Sequence, residues 1–370
     1  MSKYFSEKYK DLIPYVPGEQ PKDMKYVKLN TNESPFEPSK KAQEYAANAA
    51  KQLELYPDPD CTILREKMAA LYGVDKDEIV IVNGSDEILN FAFMAYCDSK
   101  TPAAFADITY GFYPVFAKIN NIPYVEIPLN ENYEINVDDY IGINKTIFIA
   151  NPNAPTGICL SLDKIEKIIA SNPNNIVVVD EAYVDFGGES AVKLINKYDN
   201  LLVTQTFSKS RSMAGARLGM GFANKKIIQD MNTIRYSTNP YNINRMTMAA
   251  GIGTIEDNNY TLNNCKTIIA NREYTIKELA KLGFETLDSK ANFVFTKNNK
   301  FSGEYLYKKL KENGVLVRYF KKERLNQYLR ITIGSKEEMD ILINKLIKIM
   351  EEAKWETLKL QEKQKKQISN

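Results

Sequence analysis

The chain has 370 residues, 44% hydrophobic and 26% charged, which supplies a substantial buried core and fits two or three domains at roughly 150 residues each. Lys and Arg number 49 against 47 Asp and Glu, so a net charge of +2 gives no support for a nucleic-acid or membrane partner. Histidine is absent, which excludes imidazole acid–base chemistry, histidine-dependent triads and histidine-built zinc sites; protons must move through Lys, Asp, Glu, Tyr, Cys or a cofactor.

Cys61, Cys97, Cys159 and Cys265 have neither metal-ligand nor paired-thiol spacing, which reads as reduced thiols in the cytoplasm and no metal site. The N-terminus lacks an apolar signal core, and no run approaches the ~20 apolar residues of a membrane span. Closely spaced prolines, at Pro14 to Gly18 and Leu29 to Pro38, make residues 1–38 an extended arm with turns. Helices are expected from Ser39 to Leu53 and, past Tyr56 to Pro59, from Thr62 to Tyr72.

The middle of the chain alternates strand-like and helix-like segments. Glu78 to Asn83 is a short apolar strand that runs into Gly84 and a helix to Cys97; further strands are expected at 103–108, 123–127, 146–150, 176–180, 201–206 and 218–223. Their near-continuous apolar character implies strands covered on both faces, an α/β fold with a mostly parallel seven-stranded sheet between helices. Such a fold collects its chemistry beyond the carboxyl ends of the strands. After Pro240 the pattern becomes a long helical region, 244–282, interrupted near Gly251 to Gly253 and at Asn258-Asn259. Strands at 293–296, 315–319 and 329–333 with helices at 305–312 and 337–349 then suggest a smaller α+β C-terminal domain. The resulting division is an arm (1–38), a large domain (39–245), a small domain (246–353) and a polar, frayed tail (354–370). There is no internal repeat and no dinucleotide-binding glycine fingerprint.

The chemistry is densest in Thr204 to Gly219. Lys209 lies in a small-residue turn after an apolar run, with Arg217 eight residues later, the pattern needed by an amine that forms a Schiff base with a phosphate-bearing aldehyde. Asp180 ends the run Ile176 to Val179 and reads either as a helix cap or as a buried anion for the protonated ring nitrogen of pyridoxal 5'-phosphate. Gly84-Ser85-Asp86 joins a strand to a helix, where backbone N–H groups face an anion; Ser85, Thr206, Ser208 and Arg217 would complete a phosphate cup. Asn153, in the turn Asn151 to Gly157, and Tyr183 are candidate donors to the ring oxygen, and Tyr110 is a candidate stacking ring. In the C-terminal part, Arg330 sits inside an apolar strand, as either a salt-bridge partner or a bidentate clamp for a carboxylate, and Arg318 is a second strand-end cation.

Together these motifs resemble the fold-type I pyridoxal-phosphate aminotransferases, most closely the histidinol-phosphate aminotransferase group. The match runs from about Pro14 to Gly334 through nine ordered elements, among them 29–33, 55–58, 84–87, 109–111, 151–157, 179–183, 206–209, 214–217 and 329–334. The resemblance implies that Lys209 holds the cofactor and acts as base, Asp180 pairs with the ring nitrogen, and Asn153 and Tyr183 contact the ring oxygen. It also implies stacking by Tyr110 and phosphate binding by Ser85, the Asp86 backbone, Thr206, Ser208 and Arg217. Tyr56 would serve the neighbouring subunit of a homodimer, Arg330 would take the substrate carboxylate (with Asn153 close by), and Tyr15 and Arg318 would lie near the substrate's phosphate. The implied reaction transfers the amino group of L-histidinol phosphate to 2-oxoglutarate; aromatic amino-acid transamination and decarboxylation of threonine phosphate are alternatives on the same framework. Two departures stand out: Ala154 where the family often has Asn, and Ser210 to Met213 where many members carry Ala-Phe-Gly-Leu, which leaves Arg211 either altering the phosphate surroundings or facing solvent.

Overall fold

The computed structural model describes residues 2–368, with side-chain surroundings for 2–355. In chain order the elements are β1 (Val27–Leu29), α1 (Lys40–Ala49), α2 (Thr62–Tyr72), β2 (Ile79–Val82), α3 (Ser85–Tyr96), β3 (Ala103–Ala106), α4 (Tyr113–Ile119), β4 (Tyr124–Ile127), β5 (Thr146–Ala150), α5 (Leu162–Ser171), β6 (Val177–Asp180), β7 (Leu201–Thr206) and β8 (Gly219–Ala223). The remainder are α6 (Lys225–Thr238), α7 (Arg245–Glu256), α8 (Asn258–Lys281), β9 (Phe284–Thr286), β10 (Phe293–Asn298), α9 (Gly303–Glu312), β11 (Val315–Tyr319), β12 (Tyr328–Thr332) and α10 (Lys336–Ile368). No helix among the described residues is long and apolar enough to cross a membrane.

The chain divides into two units. One comprises the residues up to Pro17, Phe36–Thr267 and Asp288–Ala291; the other comprises Gly18–Pro35, Ile268–Leu287 and the residues from Asn292 onward.

The first unit is built on a seven-stranded sheet of order β2-β8-β7-β6-β5-β3-β4. The sheet is mixed, which corrects the mostly parallel expectation: β8 runs antiparallel to both β2 and β7, while the neighbours from β7 to β4 are parallel. Apolar runs alone do not reveal strand direction; the pairing register does, with Leu202↔Ala223 and Thr206↔Gly219 running in opposite senses. Successive side chains alternate between faces. Val177, Val179, Leu201 and Val203 join one core cluster with Leu64 and Met68 of α2, while Val178 and Leu202 join the other with Ile88 and Phe93 of α3. Helices cap cleanly: the Ser39 side chain accepts from Ala42 N, that of Asn224 from Lys226 N and Ile227 N, and that of Asn244 from Thr247 N.

Gly251 and Gly253 do not interrupt the helix as expected but lie inside α7. A Cβ on Gly253 would stand 2.7 Å from the Lys41 carbonyl oxygen, so this glycine admits close packing against α1.

The second unit holds a five-stranded sheet of order β1-β11-β12-β10-β9, two strands more than expected. Its edge strand β1, inside the segment read as an irregular arm, pairs parallel with β11 through Val27↔Val315 and Leu29↔Val317. Three residues between turns carry no local strand signal; a partner nearly 290 positions away supplies it. α10 continues through most of the stretch read as a polar frayed tail, and Ser369 and Asn370 lie outside the described residues.

The approach of β8 to the start of α3 is close enough to test. A Cβ on Gly219 would sit 2.5 Å from the Gly84 carbonyl carbon and 2.6 Å from Ser85 N. Gly219→Ala is expected to cost about 1–3 kcal/mol through forced backbone movement, read as a lower denaturant midpoint; an unchanged midpoint would contradict this packing.

Candidate active site

With β8 reversed, the carboxyl ends of β2, β5, β6 and β7 and the entry to β8 fall on one edge of the sheet. A solvent-open cleft lies there, lined by residues that include Ser85, Asp86, Tyr110, Asp180, Tyr183, Thr206, Ser208, Lys209 and Arg217. Nine positions named from sequence as cofactor contacts thus come together in one cleft, from four different connections of the chain. Ala150, Pro152, Ala154 and Ala182 complete the lining.

At one end of the cleft, Gly84 precedes α3 with φ +77°, a left-handed conformation that glycine adopts without strain. A Cβ there would lie 2.6 Å from Arg217 Nη2. Arg217 Nη2 meets Asp86 Oδ2 at 3.2 Å, and the Tyr110 hydroxyl donates to Asp86 Oδ1 at 2.7 Å. Asp86 therefore holds both a guanidinium and an aromatic ring in place through its side chain. The Thr206 hydroxyl donates to Ser208 Oγ at 3.0 Å and accepts from Ser208 N at 3.1 Å. A helix N-terminus, clustered hydroxyls and a guanidinium thus lie together at this end of the cleft, an arrangement suited to an anion.

In the middle, Lys209 Nζ stands 5.9 Å from the centre of the Tyr183 ring. Asp180 is 4% exposed at the end of β6. Burial pushes its carboxyl up from 3.8 to about 7; the Tyr113 hydroxyl, donating to Oδ2 at 3.0 Å, and Ala182 N pull it down, while the negative charge of Asp86 raises it. A cationic group against this carboxyl would keep it ionised. Tyr113 was not identifiable from sequence, since nothing separates it from the other tyrosines among 23. The folded chain aims it: it opens α4, is fully buried, and contacts the Tyr110 ring edge-on at 5.7 Å.

The remaining expected residues are placed differently. Asn153 is buried, but its amide nitrogen donates to Ile108 O and Thr156 Oγ1, both at 3.0 Å, and its oxygen accepts from Thr109 Oγ1 at 2.8 Å; it is not among the cleft-lining residues. Tyr15 packs on Phe112 with ring centres 4.4 Å apart. Tyr56 is 78% exposed and stacks on Tyr241 at 4.5 Å, outside the cleft lining. In the second unit Arg318 and Arg330 face each other across β11 and β12, and Arg330 Nη2 donates to Asn30 O at 3.0 Å. Two guanidiniums on opposing strand positions form a local concentration of positive charge suited to an anion. Arg211 is buried, so of its two expected positions the solvent-facing one is corrected.

Residues 24–346 match the family model "Aminotransferase class I and II". A histidinol-phosphate aminotransferase of Brachyspira hyodysenteriae is 49% identical over 348 residues, covering 94% of this chain and 98% of that protein. Among solved structures, the histidinol-phosphate aminotransferase of Clostridium acetobutylicum superposes with a TM-score of 0.79 at 26% identity, over 86% of this chain and 97% of that one. That of Sinorhizobium meliloti, solved in complex with pyridoxal-5'-phosphate, reaches a TM-score of 0.87 at 22% identity over 95% and 99%, a likeness of fold.

The buried carboxyl has a thermodynamic signature. Because the folded-state pKa of Asp180 is raised from 3.8 to about 7, the stability it contributes is complete below about pH 4 and is lost as pH rises to about 7. Asp180→Asn cannot ionise, so without bound ligand it should be more resistant to denaturant than the parent at pH 8, with the two converging toward pH 4. Parallel stability curves across that window would contradict the assignment.

Proposed function

The chain belongs to the class I and II aminotransferase family, in its histidinol-phosphate aminotransferase group, and from this we propose that it transfers the amino group of L-histidinol phosphate to 2-oxoglutarate, giving imidazole acetol phosphate and glutamate in histidine biosynthesis. The observation that carries the reading is the juxtaposition, in one cleft, of a lysine amine, a buried carboxylate and a hydroxyl–guanidinium anion cup. That donor set fits pyridoxal 5'-phosphate: the cup of Ser85, the Asp86 backbone, Thr206, Ser208 and Arg217 suits its phosphate, Asp180 its ring nitrogen, Lys209 its aldehyde carbon, and Tyr110 and Tyr183 its ring. Asn153 belongs to this proposal through the loop it braces; a direct bond from it to the ring oxygen would require its amide to leave Ile108 O or Thr156 Oγ1.

When bound, the cofactor supplies an electron sink for the pair left at the substrate α carbon. Lys209 would hold the cofactor through its amine and, once freed by the incoming amine, would serve as the general base that takes the substrate α proton and later returns it. Asp180, ionised against the ring nitrogen, keeps the ring electron-deficient. Tyr113 holds the carboxylate orientation by its hydroxyl. Arg330 is proposed for the substrate α-carbon side, with a carboxylate-bearing substrate such as 2-oxoglutarate or glutamate in its fork, and Arg318 and Tyr15 for the substrate's phosphate end.

The proposal includes a homodimer in which Tyr56 reaches the partner's cofactor phosphate; its 78% exposure in the single chain supports an external contact. The four cysteines are free thiols, which supports a reducing compartment, the cytoplasm.

A donor panel with 2-oxoglutarate tests the reaction. Histidinol phosphate should be turned over with stoichiometric glutamate. Histidinol should lose roughly 10–100-fold in kcat/KM for want of its charged hydrogen bonds. Release of CO2 from threonine phosphate without glutamate, or faster turnover of phenylalanine, would replace the reading. Lys209→Ala should lower kcat by about 10³-fold or more, and survival of a tenth of the activity would remove Lys209 as the base. Arg330→Lys should raise the KM for 2-oxoglutarate roughly 10–100-fold, while an unchanged KM would free Arg330 from that role.

A further inference from the structure

Arg211 and Glu181 are buried ionic groups that the scheme above does not use. Arg211 lies two positions beyond Lys209, Glu181 directly follows Asp180, and they are 5% and 2% exposed. Strand alternation separates them from the cleft: Thr204 and Thr206 share a face with Leu202, whereas Gln205 lies on the opposite face with Val203 and Phe207.

A continuous hydrogen-bonded line joins the two charges. Arg211 Nη2 donates to the Tyr72 hydroxyl at 3.2 Å, that hydroxyl donates to Gln205 Oε1 at 2.7 Å, and Gln205 Nε2 donates to Glu181 Oε2 at 2.8 Å. Glu181 also accepts from the Ser190 hydroxyl and from Ala191 N, each at 2.6 Å. Every donor in the line points toward the carboxylate, a polarity that an ionised Glu181 satisfies. Burial, with the nearby charge of Asp185, leaves Glu181 raised to about 7 even though the donors from Ser190, Ala191 and Gln205 work in the other direction.

The segment around the lysine is tied on both sides. Ser208 N donates to Thr206 Oγ1 at 3.1 Å, and the Ser210 hydroxyl donates to Asp185. Arg211 Nη1 donates to Asn258 Oδ1 at 3.1 Å, and its guanidinium carbon lies 5.2 Å from the centre of the Phe207 ring. Buried ion pairs return little net stability, because desolvation offsets their attraction; what such a line does supply is a defined geometry.

We propose that Arg211, Tyr72, Gln205 and Glu181 are positioning residues, a relay from a buried cation to a buried anion that fixes the Lys209 turn against the strand bearing Asp180 and so sets the aim of the lysine amine. The relay rests on the cofactor reading above, and acts from the face of the sheet opposite the reacting groups. A turn displaced by even about 1 Å would carry the amine off the proton it must take, a loss that reaches ~100-fold in rate.

The test uses the pyridoxal-phosphate-loaded enzyme and the variants Arg211→Met, Tyr72→Phe, Glu181→Gln and Arg211→Lys. Four quantities are read: kcat, KM for both substrates, the melting temperature, and the pH at which the bound cofactor's visible absorption changes form. The relay predicts a kcat at least about tenfold lower in the first three variants with KM within about twofold, a displaced absorption midpoint, and partial recovery in Arg211→Lys, which keeps the charge and a donor. The double variant Arg211→Met/Glu181→Gln should be no slower than the slower single, since both break one line. A lower melting temperature with parental kcat and absorption midpoint would overturn the proposal and leave a structural role. Tyr72→Phe removes only a hydroxyl and carries the test by itself if Arg211→Met does not fold. Failure of the parent protein to bind pyridoxal phosphate or to transaminate would overturn the aminotransferase reading instead, so the two failures are distinguishable.

Discussion

Two carboxyl groups follow one another where β6 leaves the sheet, and burial pushes each to about 7. That electrostatic cost organises much of the surrounding structure. Asp180 turns into the cleft and is met by the Tyr113 hydroxyl; Glu181 turns to the opposite face and is met by Ser190, Ala191 N and Gln205. A carboxylate kept poised by burial is useful where a cationic ring nitrogen must be held, because the same desolvation that penalises the free anion strengthens its pairing.

The reversed strand β8 explains how the anion cup closes. It returns from the Lys209 turn along β7 and lies against β2, so the approach to Gly219 passes the start of α3. Two glycines make that approach possible, Gly84 by its left-handed backbone and Gly219 by its missing side chain. Arg217 is thereby delivered to the helix terminus beside Asp86, from a position 131 residues later in the chain. Were β8 parallel to β7, its entry would lie at the opposite edge of the sheet and the guanidinium would be carried away from the start of α3.

Local chemistry was well legible. A lysine in a small-residue turn, a carboxylate at a strand end and a glycine before a helix are each fixed by backbone requirements that act over a few residues, which is why Lys209, Asp180 and Gly84-Ser85-Asp86 were identifiable and meet in one cleft. Side-chain engagement was less so. Asn153 sits in a recognisable turn and bonds Thr156 within it, yet two of its side-chain hydrogen bonds go to Ile108 and Thr109 on another connection, more than 40 positions away. Likewise, Gly251 and Gly253 read locally as helix breakers, whereas packing against neighbouring elements keeps them inside α7.

By itself the sequence determined the α/β alternation, the absence of imidazole chemistry and the identity of the residues gathered at the carboxyl edge, because periodicity and turn chemistry are local. Tertiary structure alone decided the direction of β8, the recruitment of β1 into the second sheet, the choice of Tyr113 over its fellow tyrosines, and the burial of Arg211. Each of those depends on a partner far along the chain: 67 positions from Tyr113 to Asp180 and 139 from Tyr72 to Arg211. Hydrogen bonds and burial across such separations exist only once the layers have packed, so no local pattern encodes them.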